Sequence, residues 1–445
     1  MTSTQTTKSS SNYLRALAVL AILASFLVMV SVKPAHAFTT FTVTTTGDQV
    51  DGNLGNGICD VELKATQCTL RAAIQEANFE PGADVIKFNV GGGTGVKTIT
   101  PASQLPEITE QVTLDGYSQP GASPNTLTAG DNAAIKIELN GRDAFSDGLV
   151  IKASNVGVSG LTINRFASTG VSIEGGFGAR IEGNFIGTDP TGTQDLGNRS
   201  AGVDITGTSG SGANIIGGAE PAQRNLISGN DSEGVFIFND SVANALLGNY
   251  IGTKKDGTTA LGNGTHGVDV VSGSGNMVGG SARAAANTIA FNGEKGVQVG
   301  SSGITSTGNS ILRNSIFSNG DPGIDLRADG PTANDPGDAD AGPNGLQNKP
   351  VLSSAKKVAG KTSVQGKLNS NTNKTFQIQF YSNPKGTDQG KKFLFSRTVL
   401  TDGSGNVTFS FTTTKTITLG QTITATATGA DGTSEFSAAK GVVAG

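Results

Sequence analysis

Two aspartates recur in the same slot of a repeated tetrad. Gly202-Val203-Asp204-Ile205 and Gly267-Val268-Asp269-Val270 each carry a carboxyl at the third position, and His266 directly precedes the second tetrad. Paired carboxyls are what hydrolysis of a glycosidic bond uses: one protonates the leaving oxygen, and the other attacks or activates water. A further tetrad, Gly234-Val235-Phe236-Ile237, stands between them. If each repeat is one rung, the two aspartates are about 9.6 Å apart along the stacking axis. That approaches the roughly 6.5–9.5 Å of inverting glycosidases. Phe236 interrupts the pair, however, and the column holds no basic residue of the kind a lyase needs. Aspartate on an exposed strand also serves solvation and edge protection.

The elements that must position these groups follow from the full tetrad series. Gly170-Val171-Ser172-Ile173, the three tetrads above, Gly296-Val297-Gln298-Val299 and Gly323-Ile324-Asp325-Leu326 place their glycines 32, 32, 33, 29 and 27 residues apart, and Gly148-Leu149-Val150-Ile151 is a looser first copy. A fixed period of this length defines a solenoid, whose units bury their apolar faces only against neighbours. Alternation within each tetrad marks a half-buried strand, with positions two and four inward and position three outward. The glycine is expected either to have positive φ or to be crowded by backbone.

Two more strands per turn are read between tetrads. Asn214-Ile215-Ile216-Gly217-Gly218 and Asn225-Leu226-Ile227-Ser228-Gly229-Asn230 recur as Asn276-Met277-Val278-Gly279-Gly280 and Asn287-Thr288-Ile289-Ala290-Phe291-Asn292. The segments from Gly183 to Asn198 and from Gly248 to Asn263 form a second duplicated block. Three short strands per turn, cornered by Gly and Asn, predict an all-β right-handed parallel β-helix. Its corner asparagines are expected to stack as amide ladders, continued by Asn309, Asn314 and Asn319. The outward column (Val150, Ser172, Asp204, Phe236, Asp269, Gln298 and Asp325) is then the candidate binding face.

The remaining composition narrows the chemistry. The only cysteines, Cys59 and Cys68, are expected to form a disulfide. Only two histidines are present; His36 falls in the expected leader, leaving His266 and a poor supply for zinc or histidine catalysis. Formal charge is -4, with 64 glycines and no tryptophan. No basic stripe suits nucleic acid and no polybasic patch suits a membrane surface. Asp335, Asp338 and Asp340 offer oxygen ligands for calcium, although the segment lacks the twelve-residue EF-hand pattern.

At the N-terminus, Lys8 and Arg15 precede the uncharged run 16–32, and Ala35-His36-Ala37 follows. This is the layout of a secretory signal peptide over 1–37, and no integral membrane domain is expected after its cleavage. Residues 38–95 read as a cap holding the disulfide and an amphipathic helix, with Leu70, Ala73, Ile74 and Ala77 on one face and Arg71, Gln75 and Asn78 on the other. The β-helix is placed at 96–330, an acidic Gly/Pro linker at 331–350, and a small antiparallel β-sandwich at 351–445.

Cys68-Thr69-Leu70-Arg71-Ala72-Ala73-Ile74, with Ala77-Asn78, resembles the CSLREA motif at the head of many exported bacterial β-helix proteins; Thr stands at its second position and Ala at its fifth. The run Val112-Thr113-Leu114-Asp115-Gly116 is similar to the rungs that follow that motif. The 424–437 segment is similar to the Ig-like sandwich that often ends such chains. The resemblance implies export and fold, and it carries over no catalytic motif. The expected function is therefore a secreted or cell-surface adhesion or structural module, binding an extracellular protein or polysaccharide through the outer column. The alternative is a polysaccharide hydrolase or lyase using Asp204, Asp269 and His266.

Overall fold

The computed structural model describes residues 38–61, 67–142, 147–207, 212–304 and 306–445; the expected signal peptide lies outside them. The short apolar runs form three long parallel sheets. The tetrads build a seven-stranded sheet from Leu149–Ile151 through Val171–Glu174, Val203–Thr206, Val235–Phe238, Val268–Val270 and Val297–Val299 to Ile324–Leu326. A nine-stranded sheet runs from Thr40–Val43 to Ser310–Leu312, and an eight-stranded sheet from Lys97–Ile99 to Ser315–Phe317. One coil visits the three in turn, as Val171–Glu174, Arg180–Glu182 and Phe185–Ile186, before returning one rung on at Val203–Thr206. The chain is a three-sided parallel β-helix. Its inward Val and Ile side chains, among them Val203, Ile205, Val235, Ile237, Ile216 and Ile227, form one continuous buried core.

The tetrad glycines are required by crowding. None of Gly170, Gly202, Gly234, Gly267 or Gly296 has positive φ. A Cβ on Gly202 would lie 2.6 Å from Ile227 Cγ2, 2.8 Å from Asn230 Nδ2 and 2.9 Å from the carbonyl oxygen of Gly234. The same three partners, one rung on, surround Gly234 in Ile251, Asn263 and Gly267. Each glycine is thus the space into which the next coil's isoleucine and asparagine fit.

Those asparagines belong to ladders. Asn198, Asn230, Asn263, Asn292 and Asn319 pass an amide hydrogen bond from Nδ2 to the next Oδ1, 2.9 Å at each step. A second ladder runs through Asn184, Asn225, Asn249, Asn287 and Asn314. A third runs through Asn214, Asn244, Asn276 and Asn309, whose backbone N–H then donates to Asn344 Oδ1. In each corner the side chain satisfies donors and acceptors that have no access to water.

Both ends of the stack are covered. The helix Leu70–Phe79, N-capped by Thr69, places Leu70, Ala73, Ile74 and Ala77 in the β-helix core, beside the Cys59–Cys68 disulfide. Arg71 departs from the solvated face expected for it. It is buried, pairing with Asp48 at 2.9 Å and donating to the carbonyls of Ser103 and Gln104, because the chain folds back over that side of the helix. At the other end stand two four-stranded sheets, antiparallel throughout except where Val351–Val358 pairs parallel with Val443–Ala444. This sandwich is bonded directly to the last coil: Gln389 receives from Asn319 Nδ2 as the ladder's next member, Thr433 Oγ1 from Ile311 N, and Glu435 from Leu326 N. The 331–350 segment is packed into the same junction, with Asn344 and Leu346 buried.

Candidate functional site on the tetrad face

In-register pairing stacks the third positions into a single file: Val150, Ser172, Asp204, Phe236, Asp269, Gln298 and Asp325. The side chains turn away from the core as expected, but most are not exposed. Ser172, Asp269 and Gln298 retain 4%, 4% and 6% of their surface and Asp325 none, while Asp204 and Phe236 are half-buried. Members of the file are flanked by the rungs above and below, and Ser172, Asp204 and Phe236 also by the residue two positions along their own strand. That second file contributes Glu174, Thr206 and Phe238.

A cavity of about 580 Å³ opens on this face, lined by Asp147, Lys152, Ser168, Thr169, Ser172, Glu174, Asp204, Thr206 and Phe238. The Asp204 carboxyl is pushed up to about 7, chiefly by burial; the charges of Asp147, Glu174 and Glu233 add to this, and the Thr206 hydroxyl, donating at 3.1 Å, opposes it. Lys152 sits between Glu107 at 2.7 Å and Glu174 at 3.5 Å. Ser172 Oγ donates to Glu174 at 3.4 Å, and Asp147 Oδ1 receives the Thr169 N–H at 2.9 Å. Beside Asp204, the half-buried rings of Phe236 and Phe238 stack on each other with centroids 4.9 Å apart, and Phe238 of the two lines the cavity.

Asp269 lies one rung beyond Phe236. Its carboxyl is also pushed up to about 7 by burial and by the Glu233 charge, and it receives Gln298 Nε2 at 3.1 Å. It does not line the cavity. His266 has its imidazole pKa lowered by burial; Nδ1 receives the Lys295 N–H at 3.3 Å and Nε2 lies 3.5 Å from Glu294. Asp325 and Gln298 continue the buried file toward the sandwich. Asp204 is thus separated from Asp269 and His266 by the two phenylalanines and grouped with Asp147 and Glu174. Neither of these was singled out by the tetrads. Asp147 precedes the first tetrad, and Glu174 follows the second, where only the two-residue alternation of a strand continued past Ile173 signals that it shares a face with Ser172.

Asp335, Asp338 and Asp340 bring carboxylate oxygens within 4.8 Å of one another. Asp338 already receives the Asn348 N–H and the Ser370 hydroxyl, and Asp335 Oδ2 receives the N–H groups of Ala339 and Asp340. The larger cavity of about 710 Å³, between the last coil and the sandwich, has its polar groups committed to the junction: Lys349 pairs with Glu435 at 2.7 Å, and Gln389 donates to the carbonyls of Asn319 and Asp321.

No protein-family model and no curated protein sequence matches the chain. Distant likenesses occur among solved structures. A variant of the periplasmic alginate epimerase AlgG is 16% identical over 56% of this chain, which spans 58% of that enzyme's length, with TM-score 0.31. The ORF18 protein of Geobacillus virus E2 is 11% identical over 97% of this chain and 79% of its own, with TM-score 0.30. The tailspike protein gp49 of the Acinetobacter baumannii bacteriophage Fri1, a capsular polysaccharide depolymerase, is 10% identical over 80% and 77%, with TM-score 0.23. At these TM-scores the likeness carries no inference about residues or chemistry. The fold itself defines the class: a parallel β-helix protein closed by a C-terminal β-sandwich.

Proposed function

We propose that this is an exported polysaccharide hydrolase, and that its tetrad-face cavity is the active site. The observation that carries the reading is a half-buried carboxyl, Asp204, held near 7 at the wall of a cavity that also presents two further carboxylates and the ring of Phe238. A carboxyl that keeps its proton near neutral pH is suited to general-acid work. Phe238 offers an apolar ring in the cavity lining to the C–H face of a sugar ring.

In this scheme Asp204 gives its proton to the glycosidic oxygen as the bond from the anomeric carbon breaks. Water adds to that carbon, and its proton passes to a second wall carboxylate, Asp147 or Glu174. Lys152 and Ser172 hold Glu174 in place, and the Thr169 N–H holds Asp147. Asp269 and His266 take no part in bond cleavage. The disulfide fits an oxidising compartment. The test is release of reducing ends from a panel of oligosaccharides by the wild-type protein and by Asp204→Asn. Cleavage that falls at least about 100-fold in the variant supports the reading. Equal cleavage by both proteins removes Asp204 from the mechanism, and binding without cleavage by the wild type returns the face to an adhesive role.

A further inference from the structure

The N-terminal cap and the C-terminal sandwich each expose apolar side chains, and they carry charge of opposite sign. We propose that the chain associates head to tail, with the outer face of one copy's sandwich docking on the cap of the next copy.

Charge is segregated along the sequence. Residues 351–445 hold eleven Lys and Arg against four Asp and Glu, a net of +7, whereas residues 38–350 hold eighteen against thirty-two, a net of -14. One sheet of the sandwich meets the last coil: its Gln379 and Tyr381 are buried, and Gln379 receives the Arg313 N–H at 3.0 Å. The other sheet, built from Val351–Val358, Lys361–Asn369, Asn406–Thr413 and Val443–Ala444, packs one face on the sandwich core and leaves the other open. Register puts three lysines on the open face, each opposite a valine that is about half exposed: Lys356 with Val443, Lys361 with Val358 and Lys367 with Val351. These four strands contain no Asp or Glu. The carboxylates of the sandwich lie elsewhere: Asp388 and Glu435 at the junction cavity, Asp402 in the turn before Asn406, and Asp431 against the last coil. Gly445 adjoins Lys356, so Lys361 and Lys367 are the two cations clear of the chain's end. Lysines also guard sheet edges, but that role requires neither the exposed valines opposite them nor the lack of any carboxylate.

The cap is the counterpart. Its 50–61 segment is laid over the helix Leu70–Phe79, with the Gly55 and Gly57 N–H groups donating to Glu76 at 2.7 and 3.1 Å. Leu54, Ile58 and Phe79 are each more than half exposed. Gly55 lies against the Phe79 ring and Gly57 near the Glu80 carboxylate, which brings these side chains into one patch. Asp60 and Glu80 are half-buried and Glu110 is exposed, and the charges of Glu80 and Glu110 both reach Asp84. Arg71, the one cation among the described residues from 48 to 84, is buried against Asp48.

Cap on cap would bring carboxylates together, and sandwich on sandwich would bring lysines together. Only cap on sandwich pairs opposite charges while it buries the valines against Leu54, Ile58 and Phe79. Such a contact is heterologous and adds copies in a chain or ring. Its charges are largely exposed, so the association is reversible and weakened by salt. Each copy brings one tetrad face, and sites linked in this way gain avidity on a polymeric ligand.

The test is sedimentation velocity of the full chain from about 5 to about 100 μM, in about 20 mM and about 300 mM salt. At low salt the mean mass should rise at least about twofold with concentration, to dimers and short oligomers; at high salt it should stay that of the monomer. Lys361→Glu with Lys367→Glu, and Glu80→Lys with Glu110→Lys, should each give a monomer. An equimolar mixture of the two should associate again, because each supplies the charge that the other's reversed end now attracts. A thermal midpoint equal to that of wild type shows that a variant is folded; where a reversal lowers it, Lys361→Gln with Lys367→Gln or Glu80→Gln with Glu110→Gln takes its place and should also reduce association. A wild-type monomer throughout the low-salt series overturns the proposal. So does association undiminished in the lysine variant, or a mixture of the two folded charge reversals that stays monomeric.

Discussion

Asp204 and Asp269 occupy identical slots in the repeat, yet Asp204 lines a cavity and Asp269 is buried away from it. Both carboxyls are pushed up to about 7, mainly by burial, and this has a consequence for stability. Unfolded, each titrates near 3.8; folded, each titrates near 7. The carboxyl's contribution is therefore fully present below about pH 3.8 and is lost as pH rises through 7, where the folded state must bury a charge. Asp269→Asn removes that cost. Its thermal midpoint should exceed wild type by about 3 °C or more at pH 8 and match it at pH 4; an equal shift at both pH values would place the effect in packing. The tetrads made the aspartates legible as a pair, and their in-register column follows from the period alone. The grouping of Asp204 with Asp147 and Glu174 was not legible, because Asp147 lies outside any tetrad. Nor was the burial of the column, since a strand's alternation says which way a side chain turns but not what stands over it.

Among the elements, the tetrad strand and the asparagine corner are a single packing unit. Gly234 faces Ile251, Asn263 and the Gly267 carbonyl at separations that leave no room for a methyl group. Gly234→Ala should destabilise the protein by about 1–3 kcal/mol through overpacking, read as a lowered midpoint in thermal or denaturant unfolding. Asn230 receives from Asn198 and donates to Asn263, both at 2.9 Å. Asn230→Ala strands a buried donor above and an acceptor below, at about 1–3 kcal/mol for each unsatisfied group. A midpoint unchanged from wild type would show that water replaces the amide. Both elements were readable in the sequence from the spacing of Gly and Asn. The reason for the glycine was only half readable: crowding and positive φ leave the same residue in the sequence, and only packing against the next coil distinguishes them. Arg71 illustrates the same limit, since helical periodicity placed it opposite the core without revealing that Asp48 and the Ser103 and Gln104 carbonyls close over it.

For the whole molecule, the sandwich closes the stack as well as following it. The last coil passes its amide ladder to Gln389 and its backbone donors to Thr433 and Glu435. A chain ending at residue 350 leaves an open set of parallel strand edges, and such edges aggregate. It should sediment as large species where the full chain does not. A monodisperse truncated protein would mean that the β-helix closes itself. The change to longer alternating strands after Val351 made the sandwich visible in sequence, whereas its bonding to the β-helix depends on residues more than 60 positions apart and left no local signal. In-register pairing along the stack brings the third positions of the tetrads into one file, on which the proposed site rests. The most direct measurement of the proposed catalytic role of Asp204 is the pH profile of reducing-end release from any oligosaccharide of the panel that the wild type cleaves, compared between wild type and Asp204→Asn. With Asp204 as proton donor, wild-type activity should fall as pH rises through about 7, and the variant should retain under about 1% at every pH. Comparable activity of the variant with the same pH dependence would contradict the assignment.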